Sequence, residues 1–94
     1  MNCHLVTTSS LNQRLATSIN ANDIIIFIAD GCYASVNATA LSTLACKELL
    51  ILSDDAIARG INIGSSTTDT PITAIQYADL VNHTLNCEKV ITWK

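Results

Sequence analysis

Charge is what this sequence lacks most. Only 14% of its 94 residues are Asp, Glu, Lys or Arg, where an ordinary soluble domain carries about 25%. The basic residues number five (Arg14, Lys47, Arg59, Lys89 and Lys94), they are scattered, and the formal net charge is -3. Nucleic-acid backbones are held by clustered Lys and Arg, so direct nucleic-acid binding is not expected. No apolar run approaches the roughly 20 residues that cross a bilayer, so no membrane partner is expected either. Met1-Asn2-Cys3-His4-Leu5 has no basic leader region and no long apolar stretch follows before Ser9; a secretory signal is not expected and the cytoplasm is the predicted location. The sequence also has no Gly-rich phosphate loop, no dinucleotide fingerprint, no Cys-x-x-Cys and no His-x-x-x-His. These absences predict neither a cofactor nor a resident metal.

What is present is apolar. Hydrophobic residues make up 49% of the chain, which at this length predicts one domain over residues 1–94. A domain this small buries only about 60–65% of the surface of its unfolded chain. Low charge and small size together predict an oligomer. The four cysteines (Cys3, Cys32, Cys46, Cys87) sit in a strand–helix pattern rather than a loop-rich scaffold, so they are read as reduced thiols. Cys46, at the entry to an apolar strand, reads as a small core residue.

Asp23 to Val36 organises the rest. Ile24 to Ala29 is unbroken, apolar and rich in β-branched residues, which predicts a central strand buried on both faces of a parallel sheet. Asp30-Gly31 turns the chain out of the sheet, leaving Cys32 and Tyr33 at the strand's carboxyl end, the edge where open α/β sheets place their chemistry. Before this run, Cys3 to Thr7 reads as a first strand. Leu11, Leu15 and Ile19 then form the apolar stripe of a helix. After it, a helical stretch reaches about Leu44, Lys47 to Leu52 makes a third strand, and Ser53-Asp54-Asp55 caps a short helix from Ala56 to Arg59 that Gly60 ends. Ile61 to Pro71 reads as loop, Ile72 to Ile75 as a fourth strand, and Tyr77 to Cys87 as a helix with an apolar stripe at Tyr77, Leu80, Val81 and Leu85. Val90 to Trp93 is the last strand. The order βαβαβαβαβ predicts an α/β fold with about five mostly parallel strands and helices on both faces.

Chemistry has few candidates. Gly64-Ser65-Ser66-Thr67 holds one glycine and reads as a solvated loop rather than an anion cradle. Asp54-Asp55 reads as a cap, and His4 and His83 as packed or exposed side chains rather than ligands. Cys32 is the candidate thiol, since it precedes a helix whose amide dipoles can favour a thiolate. Against it, no Lys, Arg or His is close in sequence and Asp30 opposes the charge.

His4-Leu5-Val6-Thr7, Asp30-Gly31-Cys32-Tyr33-Ala34, Leu52 to Gly60 (Leu-Ser-Asp-Asp-Ala-Ile-Ala-Arg-Gly), Ile75 to Val81 and Val90-Ile91-Thr92-Trp93 together resemble the DsrH/TusB family, in the same order and over essentially the whole chain. The resemblance implies a three-layer α/β/α fold around a five-stranded sheet. It further implies a heterohexamer with DsrE/TusD-like and DsrF/TusC-like subunits, which passes persulfide sulfur to a downstream acceptor protein for 2-thiolation of the tRNA wobble uridine or, in a similar complex, for sulfur oxidation. An isolated copy is expected to self-associate. The catalytic cysteine of the DsrE-like subunit lies just after the third strand. Here that stretch, Leu52-Ser53-Asp54, has no thiol, and Leu11 to Ile19 lacks the first-helix cysteine of some relatives. The chain therefore reads as an auxiliary subunit and not an enzyme. The alternatives are a self-sufficient persulfide carrier using Cys32 and a homo-oligomeric α/β domain with an unrelated binding role.

Overall fold

Ile24–Phe27 (β2) has every residue buried, and its neighbours explain why it carries no alternation. It pairs in parallel with Asn2–Val6 (β1) on one side and Glu48–Leu52 (β3) on the other, which occupies both its edges, and its side chains alternate between two core clusters, one on each face of the sheet. The structure, a computed structural model, describes residues 2–8, 19–34, 48–61 and 72–93. Its remaining elements are the helices Gly31–Ala34 (α1), Ser53–Ala58 (α2) and Tyr77–Asn86 (α3), with strands Ile72–Ile75 (β4) and Lys89–Trp93 (β5). All strand pairs are parallel, in the order β4-β3-β2-β1-β5.

Strand direction fixes the layers. From β1 to β4 the chain steps one way across the sheet, and from β4 to β5 it returns to the far side of β1. Right-handed crossovers put oppositely stepping connections on opposite faces, and the core divides accordingly. On one face Val6, Ile25, Phe27, Leu49 and Ile51 cluster with Ile19, Cys32 of α1 and Ala56 of α2. On the other, Cys3, Ile24, Ile26, Leu50 and Ile75 cluster under Leu80 of α3 and Cys87. Helices thus cover both faces, giving the three-layer α/β/α arrangement the sequence predicts. Each large aliphatic side chain fully buried this way contributes roughly 1.5–3 kcal/mol.

The strand boundaries move by one or two residues, and that of β2 moves for a physical reason. The apolar run continues to Ala29, but β2 stops at Phe27 because Ala29 has a left-handed backbone, φ 50. The short helix differs as well. It begins at Ser53, inside the segment expected to cap it, and Leu52 at the N-cap has no polar side-chain atom to offer. Its other end follows expectation. Gly60 (φ +69) closes it, with Gly60 N–H donating to Ile57 O at 3.1 Å and Ile61 N–H to Ala56 O at 2.9 Å, a Schellman pattern.

The stripe on α3 is the clearest correction. Of its four apolar positions only Leu80 packs on the core; Tyr77, Val81 and Leu85 are exposed, Leu85 by 76%. The predicted stripe at Leu11 and Leu15, the continuation of α1 towards Leu44, Cys46 and the loop through Gly64-Ser65-Ser66-Thr67 lie outside the described residues.

Candidate functional site

The carboxyl ends of β1, β2 and β3 meet at one edge of the sheet, and the turn after β2 is built into it tightly. Ile28 N–H donates to Val6 O at 3.0 Å, and Gly31 N–H donates back to Ile28 O at 2.8 Å. This brings Gly31 so close to β1 that a β-carbon there would stand 1.8 Å from Val6 O. Glycine is required for close approach, not for an unusual φ. Ala29, just before it, holds its left-handed backbone at a cost of about 1 kcal/mol while its N–H donates to Asp55 Oδ2 at 2.8 Å. Asp55 therefore reaches across to the neighbouring turn rather than capping its own helix. Arg59 adds a second tie, donating from Nε to Asp30 Oδ1 and from a guanidinium nitrogen to Asp55 O, each at 3.3 Å.

Cys32 lies under this turn with no exposed surface. Its thiol donates to Phe27 O at 3.8 Å. Burial pushes its pKa up to about 11, and Asp55 adds to that; Arg59 and the Cys32 amide pull the other way and are outweighed. The site contains a thiol that stays protonated and inside. Ser53, the residue directly after β3, opens α2 half-buried and is followed in sequence by Asp54 and Asp55.

A His–Asp pair exists elsewhere in the molecule. His4 Nε2 lies 2.9 Å from Asp23 Oδ2, and Trp93 Nε1–H donates to His4 Nδ1 at 3.1 Å. The indole can only donate, so His4 accepts at Nδ1 and gives its proton from Nε2 to the carboxylate. Asp23 also accepts from Asn2 N–H and Asn20 N–H, each at 3.0 Å. Burial pushes the Asp23 carboxyl up, but the bonds from Asn20, His4 and Asn2 outweigh it and its pKa falls below the ordinary value. With both ring nitrogens committed and no exposed surface, His4 is a packed histidine, as its strand position suggests, and offers no base to a substrate. Asp23 was missed in the sequence; a carboxylate before an apolar strand looks like an ordinary turn residue.

Among the described residues no three His, Cys, Asp or Glu side chains group to hold a metal, and no helix is long and apolar enough to cross a membrane. The edge is thus a rigid, polar rim over a sequestered thiol. A family model described as DsrH like protein matches residues 7–90. The chain belongs to the DsrH family. None of the curated proteins matches it. Membership makes this DsrH chain a subunit related to sulfur relay, of a kind that works in complexes with other subunits. The matched span takes in the Gly31 turn, the Ser53–Ala58 helix and α3.

Proposed function

We propose that this DsrH chain is an auxiliary, non-catalytic subunit of a cytoplasmic persulfide relay serving 2-thiolation of the tRNA wobble uridine. Its partners in that reading are DsrE/TusD-like and DsrF/TusC-like subunits in a heterohexamer and a downstream sulfur acceptor. One observation carries it: the sheet edge that would hold a sulfur-carrying thiol has Ser53 after β3 and, as its only described cysteine, a Cys32 that is buried and raised to about 11. A persulfide carrier needs an accessible thiolate. The rim of Asp30, Asp54 and Asp55 with Arg59 supplies polar contacts for a partner instead, and the exposed Tyr77, Val81 and Leu85 supply apolar ones.

The test is co-expression with DsrE-like and DsrF-like chains, wild type beside Cys32→Ser, reading assembly mass and sulfur delivery. An intact hexamer that relays equally well in both is expected. Relay lost from an intact Cys32→Ser hexamer moves the chemistry onto this chain. Relay of sulfur without any tRNA thiolation points to the sulfur-oxidation role, and absence of a complex points to an unrelated binding domain.

A further inference from the structure

Two other thiols lie on the opposite face of the sheet from Cys32, and they meet. Cys3, in β1, is a fully buried member of the second core cluster, and Cys87, the residue that ends α3, packs against that cluster half-exposed. The ladder accounts for the meeting. Cys3 stands opposite Val90 in the β1–β5 pairing, and Cys87 enters that strand from just ahead of it. Burial raises the Cys3 thiol to about 12, and the Cys87 thiol, close enough to hydrogen-bond with it, adds to that. Neither is in a disulfide. The sheet itself separates them from Cys32, whose side chain belongs to the other core cluster.

From this geometry we infer that Cys3 and Cys87 form a dithiol site that reacts with small-molecule disulfides and closes to a Cys3–Cys87 bridge. Cys87, the half-exposed member, reacts first. Its thiolate attacks one sulfur of the reagent disulfide, the reagent's S–S bond breaks, and one reagent thiol leaves with the proton Cys87 gave up. Cys3 then attacks Cys87 Sγ, a Cys3–Cys87 bond forms, and the second reagent thiol leaves with the Cys3 proton. The protein loses two electrons and two protons, and the reagent disulfide becomes two thiols. Burial makes Cys3 unreactive towards anything in solution, so it acts only on what Cys87 brings to it. The bridge would span from residue 3 to residue 87 and tie β1 to the end of α3. The inference is independent of any relay role, because it concerns the face away from Cys32.

The experiment treats the purified full-length chain with oxidised glutathione in graded ratio to reduced glutathione, followed by intact mass and peptide mapping under non-reducing conditions. The expected product is lighter by two hydrogens, carries no glutathione and maps to Cys3–Cys87. Its melting temperature should rise by roughly 10 °C or more, since a bridge across so long a loop restricts the unfolded chain strongly. Cys87→Ser should leave Cys3 unmodified, and Cys3→Ala, which keeps a small apolar side chain in the core, should trap glutathione on Cys87. A wild type that stops at glutathione on Cys87, a bridge mapped to Cys32 or Cys46, or Cys3 modified in Cys87→Ser would each overturn the assignment.

Discussion

The two faces of the sheet are built from the same kind of strand residue and finished differently. On the Cys32 face, Val6, Ile25, Phe27 and Ile51 are buried together with Ile19, Cys32 of α1 and Ala56 of α2, which is itself completely buried, and Ile61, Ile72 and Trp93 pack half-exposed at its margin. On the Cys3 face the described cover is α3, which contributes no fully buried residue and leaves Leu5 and Ile28 half-exposed. Geometry explains the difference. The connection from β4 to β5 must pass from one edge of the sheet to the other, about 19 Å at usual strand spacing. A helix of 10 residues is about 15 Å long. One face is a closed core, the other a bridge laid across a wide surface.

That contrast can be broken most severely at Gly31→Ala. The new β-carbon would overlap Val6 O, and neither strand end can yield without opening the Cys32 face. A loss of about 4 kcal/mol or more, seen as failure to reach a folded baseline in urea titration, is expected. Paired truncations sharpen the comparison. Ile51→Ala on the closed face should cost about 3–4 kcal/mol, while Leu80→Ala on the bridged face should cost about 1–2 kcal/mol. Equal losses would contradict the difference between the faces.

Asp23→Asn tests the buried polar cluster on the closed face. An amide offers one acceptor oxygen where the carboxylate serves His4, Asn2 and Asn20, so a loss of about 2 kcal/mol is expected at neutral pH. Because the folded Asp23 pKa is lowered, its contribution is complete above the unfolded value of about 3.9 and disappears as pH falls through the lower folded one. Urea titrations of wild type and variant at neutral and strongly acidic pH should therefore converge in acid. The smallest effect is reserved for Leu85→Ser, which should change the stability of the isolated chain by about 0.5 kcal/mol or less yet weaken assembly with partner subunits if α3 is an interface. Melting curves and co-purification separate the two readouts.

How much of this was legible depended on whether a signal was local. The doubly buried β2 could be read from Ile24 to Phe27 because a run without polar residues leaves no wet face. The extent of α3 could be read from its periodicity, but its orientation could not. Tyr77, Val81 and Leu85 share a side of the helix whether or not anything covers that side. Asp54-Asp55 gave a sound local signal for a cap, and tertiary structure overrode it by giving Asp55 the Ala29 amide. The convergence of His4, Asp23 and Trp93 depends on β1 lying between β2 and β5, an order that no local pattern encodes. The same holds for Cys3 and Cys87.

The pairing of the first strand with the last also sets a schedule for folding. One side of β1 can zip onto β2 after about two dozen residues have been made, but the other waits for Lys89–Trp93. Until then its N–H and C=O groups form an open edge, a template for a neighbouring chain, and His4 lacks the indole that completes its hydrogen bonds. Contacts so distant in sequence form slowly because the loop between them must close first. Trp93 therefore acts as a completion mark: its fluorescence should report the last event of folding, when the sheet gains its fifth strand and β1 ceases to be an edge.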